Sequence, residues 1–211
     1  MSEIIDISRT LFPAVAVWPG DTPFRLRSNM QIAAGASVNL TTLEMSAHSG
    51  SHVDAPYHFD DEGATVELLP LRPYWGRAQV VTVQKSAGPL LPAEFAAYDL
   101  AQAPRLLVRS AASDLEPTVF PEQFVYPNPE LAGFLGEMGI VLYGSDAPSM
   151  DAADSKLLPG HHALMENGIA ILEGLDLSAA PDGLYELVAL PLKITAGDGS
   201  PVRAALRPLQ E

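Results

Sequence analysis

Proline and glycine interrupt this chain at short intervals. Nineteen prolines and sixteen glycines are spread along 211 residues, and their backbone effects imply many turns between short elements. Residues 3–8 (EIIDIS) and 23–28 (PFRLRS) alternate or nearly alternate apolar and polar side chains, as strands do. Residues 38–47 (VNLTTLEMSA), 77–84, 105–110, 140–144, 169–175, 184–194 and 200–207 also read as strands. Helices are expected at 91–99, 128–139 and 160–168. The second has Asn128 as N-cap, Pro129 at its first position and Gly139 at its close. Strands and helices alternate without strict βαβ order, and no repeat or linker divides them. The expected class is a loop-rich α/β domain.

A single domain covering 1–211 fits this length. Such a chain buries roughly 70% of its unfolded surface and needs no covalent staple. It has no cysteine, which excludes disulfides, thiolate metal sites and a cysteine nucleophile. Glu3 and Asp6 stand where a signal peptide would carry basic residues. No uncharged apolar run approaches the ~20 residues that span a bilayer. A soluble, cytoplasmic protein is expected. The formal net charge of −14 repels phosphate backbones and anionic lipid, so neither nucleic acid nor membrane is an expected partner.

The five histidines fall in only two places. His48, His52 and His58 lie in HSGSHVDAPYH (48–58) together with Asp54, and His161 and His162 are adjacent. His52 and Asp54 are two apart, so an extended backbone points them the same way. A turn at Gly50 can bring His48 to them. Neutral imidazoles and a carboxylate are a natural ligand set for zinc, or for manganese. A lone His-x-x-x-His is commonly a pair of surface residues. The aspartate and the third histidine set this stretch apart.

Glu173 follows the apolar run IAIL (169–172), where an ordinary solvated glutamate is out of place. Together with His161 or His162 it can complete the first cluster. One or two cations can be held by such a set, since a carboxylate can bridge two ions ~3.5–4 Å apart. A bound cation lowers the pKa of water towards ~7 and polarises a carbonyl. A histidine left free of metal can pass a proton to a leaving amine. This is hydrolytic chemistry. No Gly-x-Ser-x-Gly elbow, phosphate loop, Gly-x-Gly-x-x-Gly or His-Glu-x-x-His offers another machinery. Asp146, in GSDAPSMD, is expected to be a buried loop anchor.

HSGSHVDAPYH resembles the His-x-Gly-Thr-His-x-Asp-x-Pro-x-His signature of metal-dependent cyclase-family hydrolases, with Ser51 in place of threonine. Further segments resemble the bacterial kynurenine formamidases (arylformamidases) of that family. They are DISRTLFPAVAVWPGDTPF (6–24), LYGSDAPSMD (142–151), HHALMENGIAILEGL (161–175), YELVALPLKI (185–194) and SPVRAAL (200–206). The resemblance covers nearly the whole chain.

The resemblance implies a compact α/β domain with a mixed, barrel-like β core flanked by short helices, assembled as a homodimer or larger. It implies that His48, His52 and Asp54 bind metal, with Asp54 bridging two zinc ions. His161, twelve residues before Glu173, becomes a ligand in preference to His162, and Glu173 a further bridge. His58 becomes the general acid and base, and Trp18 packs on an aromatic ring; otherwise Trp18 is a core or interface residue. The implied reaction is hydrolysis of N-formyl-L-kynurenine to L-kynurenine and formate in tryptophan breakdown. Two rivals are ring opening of isatin or another cyclic amide on the same scaffold, and a non-catalytic metal-binding protein.

Overall fold

The computed structural model describes residues 3–209. In the first half of the chain the strands are Ile5–Asp6 (β1), Arg25–Met30 (β2), Leu40–Glu44 (β3), His52–Asp54 (β4), Trp75–Thr82 (β5), Gly88–Leu90 (β6) and Arg105–Arg109 (β7). There follow Val125–Pro127 (β8), helix Pro129–Glu137 (α1), Leu142–Ser145 (β9), helix Pro159–Glu166 (α2) and Ala170–Glu173 (β10). Gly183–Val188 (β11), Gly199–Pro201 (β12) and Ala205–Pro208 (β13) complete the set.

Nine strands form one mixed sheet in the order β1-β13-β11-β5-β7-β9-β10-β4-β12. The pairs β5–β7, β7–β9 and β9–β10 are parallel, and the others are antiparallel. The sheet curls into a half barrel. β1 forms one edge, yet the residues after it meet the chain leaving β10. Ser8 bridges Leu175, and Asp176 N donates to Ile7 O at 2.9 Å. This curl agrees with the barrel-like core that the resemblance implies.

The strand period sorts the side chains. Val80, Leu107, Leu142, Leu172, Leu187 and Leu206 enter the inner core. Their neighbours Val81, Leu106, Tyr143 and Ile171 face outwards and pack with Leu131 and Leu135 of α1 and Leu164 of α2. The central parallel strands are covered on both faces, which is why they read as continuous apolar runs. Helix α1 follows its sequence signals: Asn128 Oδ1 accepts from Leu131 N at 2.9 Å.

Four segments differ from expectation by more than two residues at an end, the first being the strand expected at 184–194, which stops at Val188. Residues 91–99 hold only a 3-10 turn over Pro92–Phe95, because Phe95 is the one buried side chain between Leu90 and Leu100. An isolated amphipathic face of that size does not sustain an α-helix. The strand expected at 200–207 is two strands: β12 pairs with β4 and β13 with β11, in separate regions of the sheet. The strand expected at 38–47 stops at Glu44 and pairs with β2 in a hairpin outside the main sheet.

Candidate metal centre

β4 and β10 lie side by side and antiparallel, with His52 opposite Glu173 and Asp54 opposite Ile171. Val53 and Leu172 go to the inner core, so His52, Asp54 and Glu173 share the face that α2 covers. His161 is in the first turn of α2. His48 stands in the turn before β4, where Gly50 has φ of 68°. The approach of this turn to the end of β10 depends on Gly174, with φ of 63°. A Cβ there would lie 2.3 Å from Gly50 O. A Cβ at Gly199 would likewise lie 2.7 Å from His48 Cε1.

Each of His48, His52 and His161 has one ring nitrogen tied away from the centre. His48 Nε2 lies 3.1 Å from Asp198 Oδ2, His52 Nδ1 3.0 Å from Gly50 O and His161 Nδ1 2.7 Å from Asp151 Oδ2. These acceptors place the proton on the tied nitrogen and leave the other nitrogen's lone pair facing inwards. His48 Nδ1 and His52 Nε2 lie 3.0 and 3.4 Å from Asp54 Oδ1, and His161 Nε2 lies 3.5 Å from Asp54 Oδ2. Glu173 is 3.3 Å from His52 Nε2 and 3.4 Å from His161 Nε2.

The inward atoms are thus acceptors facing acceptors. Both oxygens of Asp54 and Oε1 of Glu173 are buried with no hydrogen-bond donor among the described residues. Uncompensated buried carboxylates are costly unless paired or bound to a metal. Ligand atoms of His52, Asp54 and Glu173 lie within 4.8 Å of one another, as do those of His48, Asp54 and His58. Asp54 belongs to both groups, whereas Glu173 lies against His52 and His161. The residues present therefore fit divalent cations in their number, donor type and unmet need for positive charge.

The electrostatics say the same in terms of protons. Burial opposes charging His52, but Asp54 and Glu173 outweigh it and raise its pKa to about 10. Burial also opposes charging His161, yet Asp151, Asp54 and Glu173 raise it to about 12. Burial alone would raise Asp54, but the three imidazoles hold it well below the usual carboxylate range.

His58 differs from the other three. Its side chain is 34% exposed, and Nδ1 stands 3.7 Å from Asp198 Oδ2. Burial, its largest influence, lowers its pKa from the ordinary value, with opposing pulls from Asp54 and Glu173. The rings of His58 and His48 are 4.0 Å apart. His162 turns away and packs edge-on against Phe59 at 5.3 Å. The structure therefore brings together His48, His52, Asp54, His58, His161 and Glu173, and leaves His162 outside.

The cluster floors a cleft of about 360 Å³. Trp18 is on its wall, half exposed, in a turn closed by Asp21 N donating to Trp18 O at 2.9 Å. Phe120 packs edge-on against Trp18 with ring centres 5.1 Å apart. Asp146 is the expected anchor: its buried carboxylate accepts from the backbone N and hydroxyl of both Ser110 and Ser113, at 2.7–3.0 Å. Phe120, Asp151 and Asp198 are site residues that the sequence did not single out. Asp151 also accepts from Gly160 N and His161 N, clamping the start of α2 after the left-handed Leu158. Phe120 and Asp198 make their contacts more than a hundred residues away, and Asp151 reaches His161 ten residues on, so no local spacing marks them.

A curled mixed sheet whose helix-facing side carries imidazoles around buried carboxylates defines a hydrolase scaffold built for divalent cations. The family described as "Putative cyclase" matches residues 5–152, and the chain belongs to that family. It is 46% identical over 207 residues to a kynurenine formamidase of Geobacillus thermodenitrificans, with 98% of each chain covered. It is 44% identical over 208 residues to that of Salinibacter ruber, with 97% of each covered. Among solved structures, isatin hydrolase A from Labrenzia aggregata bound to benzyl benzoate shares 26% identity at a TM-score of 0.85, over 99% of this chain and 94% of that one. A structure described as a potential metal-dependent hydrolase with cyclase activity has the same fold, at a TM-score of 0.85 and 24% identity over the full length of both.

Proposed function

We propose that this chain is an arylformamidase that hydrolyses N-formyl-L-kynurenine to L-kynurenine and formate, a step of tryptophan breakdown. The observation that carries the reading is the set of three imidazoles, each tied outwards and aimed inwards at Asp54 and Glu173. His48, His52, Asp54, His161 and Glu173 would hold the metal, zinc at two ions per subunit or manganese in its place. A bound cation supplies activated water at neutral pH and polarises the formyl carbonyl.

The rest of the work falls to the chain's own groups. His58 is the accessible imidazole of the cluster, and burial lowers its pKa from the ordinary value, which favours the neutral ring. It takes a proton from the attacking water and delivers it to the departing aniline nitrogen. Trp18, with Phe120 beside it, receives the aromatic ring. The cleft has the size of a small-molecule site.

The curated relatives support formamide hydrolysis at 44–46% identity. Opening of a cyclic amide such as isatin is the second reading, supported by a structural neighbour at 26% identity. A panel of purified, metal-loaded protein with N-formyl-L-kynurenine and isatin separates them. Formamide turnover with the higher kcat/KM is expected; isatin as the better substrate would replace this reading with the second.

The family resemblance and an exposed hairpin support assembly as a homodimer or larger. Leu26, Met30, Leu40 and Leu43 of β2–β3 are 42–62% exposed, an apolar surface suited to a second copy. No helix among the described residues is long and apolar enough to cross a membrane. Cytoplasmic location, a small-molecule partner and one domain over 1–211 belong to the same proposal.

A further inference from the structure

The cleft is lined by Asp21, Glu116, Asp146 and Glu173, and the chain as a whole carries a formal charge of −14. A ligand's carboxylate that lies away from the metal residues therefore needs a cation of its own on the wall. Among the described residues, Arg9 is the single lysine or arginine on the cleft wall. Its backbone is fastened beside the metal residues: Arg9 N donates to Ser51 Oγ at 2.9 Å, and Ser51 Oγ donates to Gly174 O at 2.7 Å. Arg9 therefore stands one hydrogen bond from Ser51, the neighbour of His52, and two from Gly174, the neighbour of Glu173.

The guanidinium is held without being neutralised. Arg9 Nη2 donates to Ala112 O at 2.9 Å and Asp146 O at 3.0 Å. Both acceptors are backbone carbonyls. No carboxylate lies within ion-pair distance of Arg9 among the described residues. The nearby Asp146 carboxylate is spent on Ser110 and Ser113. One end of the fork is thus fixed, and its remaining N–H donors are free of protein acceptors. Such an anchored fork pre-organises a charge-assisted contact with a carboxylate.

We infer that Arg9 is the carboxylate receptor of the cleft, binding the α-carboxylate at the amino-acid end of the substrate and setting a preference for arylformamides that carry a carboxylate over those that lack one. The inference rests on the formamidase reading and adds a specificity residue to it. Metal ligands and Trp18 account for the formyl group and the ring; Arg9 accounts for the end that distinguishes a formylated amino acid from a simple formanilide.

The test compares wild type with Arg9→Gln, both metal-loaded, on N-formyl-L-kynurenine and on 2′-formamidoacetophenone, which keeps the aryl formamide and lacks the amino-acid end. Loss of a charge-assisted contact should lower kcat/KM for formylkynurenine by roughly 10- to 100-fold, mainly through KM. The neutral substrate should stay within a few-fold of wild type, and Arg9→Lys should fall between. Equal losses on both substrates would show that Arg9 only tethers Ala112 and Asp146, and unchanged values on both would show no role; either overturns the inference and leaves the formamidase reading standing. A wild type that turns over neither formamide overturns both.

Discussion

At Asp54 both carboxylate oxygens are buried and ringed by three imidazoles, with no hydrogen-bond donor among the described residues while those rings are neutral. That single environment explains why the outer partners matter. Asp151 fixes the tautomer of His161 through a 2.7 Å contact, so Asp151→Asn should weaken metal affinity by roughly 10- to 100-fold, measured by competition with a chromophoric chelator. Proton balance gives a second expectation. With pKa values raised to about 10 and about 12, His52 and His161 carry protons at pH 7 in metal-free protein. Ligation needs neutral imidazole, so loading must release protons, and affinity must rise with pH. Calorimetry in buffers of different ionisation enthalpy reads that release; a buffer-independent heat would contradict it. The sequence exposed this centre because His52 and Asp54 sit two apart and Glu173 breaks an apolar run. It exposed neither Asp151 nor Asp198, whose roles arise from contacts 10 and 150 residues away.

At the scale of elements, the site is the register of β4 on β10. A shift of one residue would turn His52 and Asp54 into the inner core. Gly174 keeps that register in reach of the histidine turn, since its backbone is left-handed and its Cα faces Gly50 O. Gly174→Ala should cost about 1–3 kcal/mol and lower Tm by roughly 3–10 °C, with loss of metal affinity because Glu173 is its neighbour. Calorimetric melting of stripped and loaded protein separates the two effects. The buried strands were legible where period and composition agreed, as in RLLVR at β7. Ends were less so. The turn at Pro92–Phe95 and the break between β12 and β13 follow from tertiary pairing, which local propensity does not carry.

For the whole molecule, the β2–β3 hairpin stands outside the curled sheet with Leu26, Met30, Leu40 and Leu43 exposed. The first is expected from alternation and the second from its β-branched residues, but neither signal says that both faces would be exposed. If a second copy covers it, Leu26→Ser with Leu43→Ser should convert a dimer into a monomer in light scattering behind size exclusion, without loss of bound metal. A dimer that persists would place the interface elsewhere. The central claim is that His48, His52, Asp54, His161 and Glu173 form one catalytic metal site. Its most direct test is hydrolysis of N-formyl-L-kynurenine by protein stripped with chelator and then titrated with zinc or manganese, with bound metal counted at each point. Turnover should vanish on stripping and return in step with bound metal. Undiminished turnover in fully stripped protein would contradict the account.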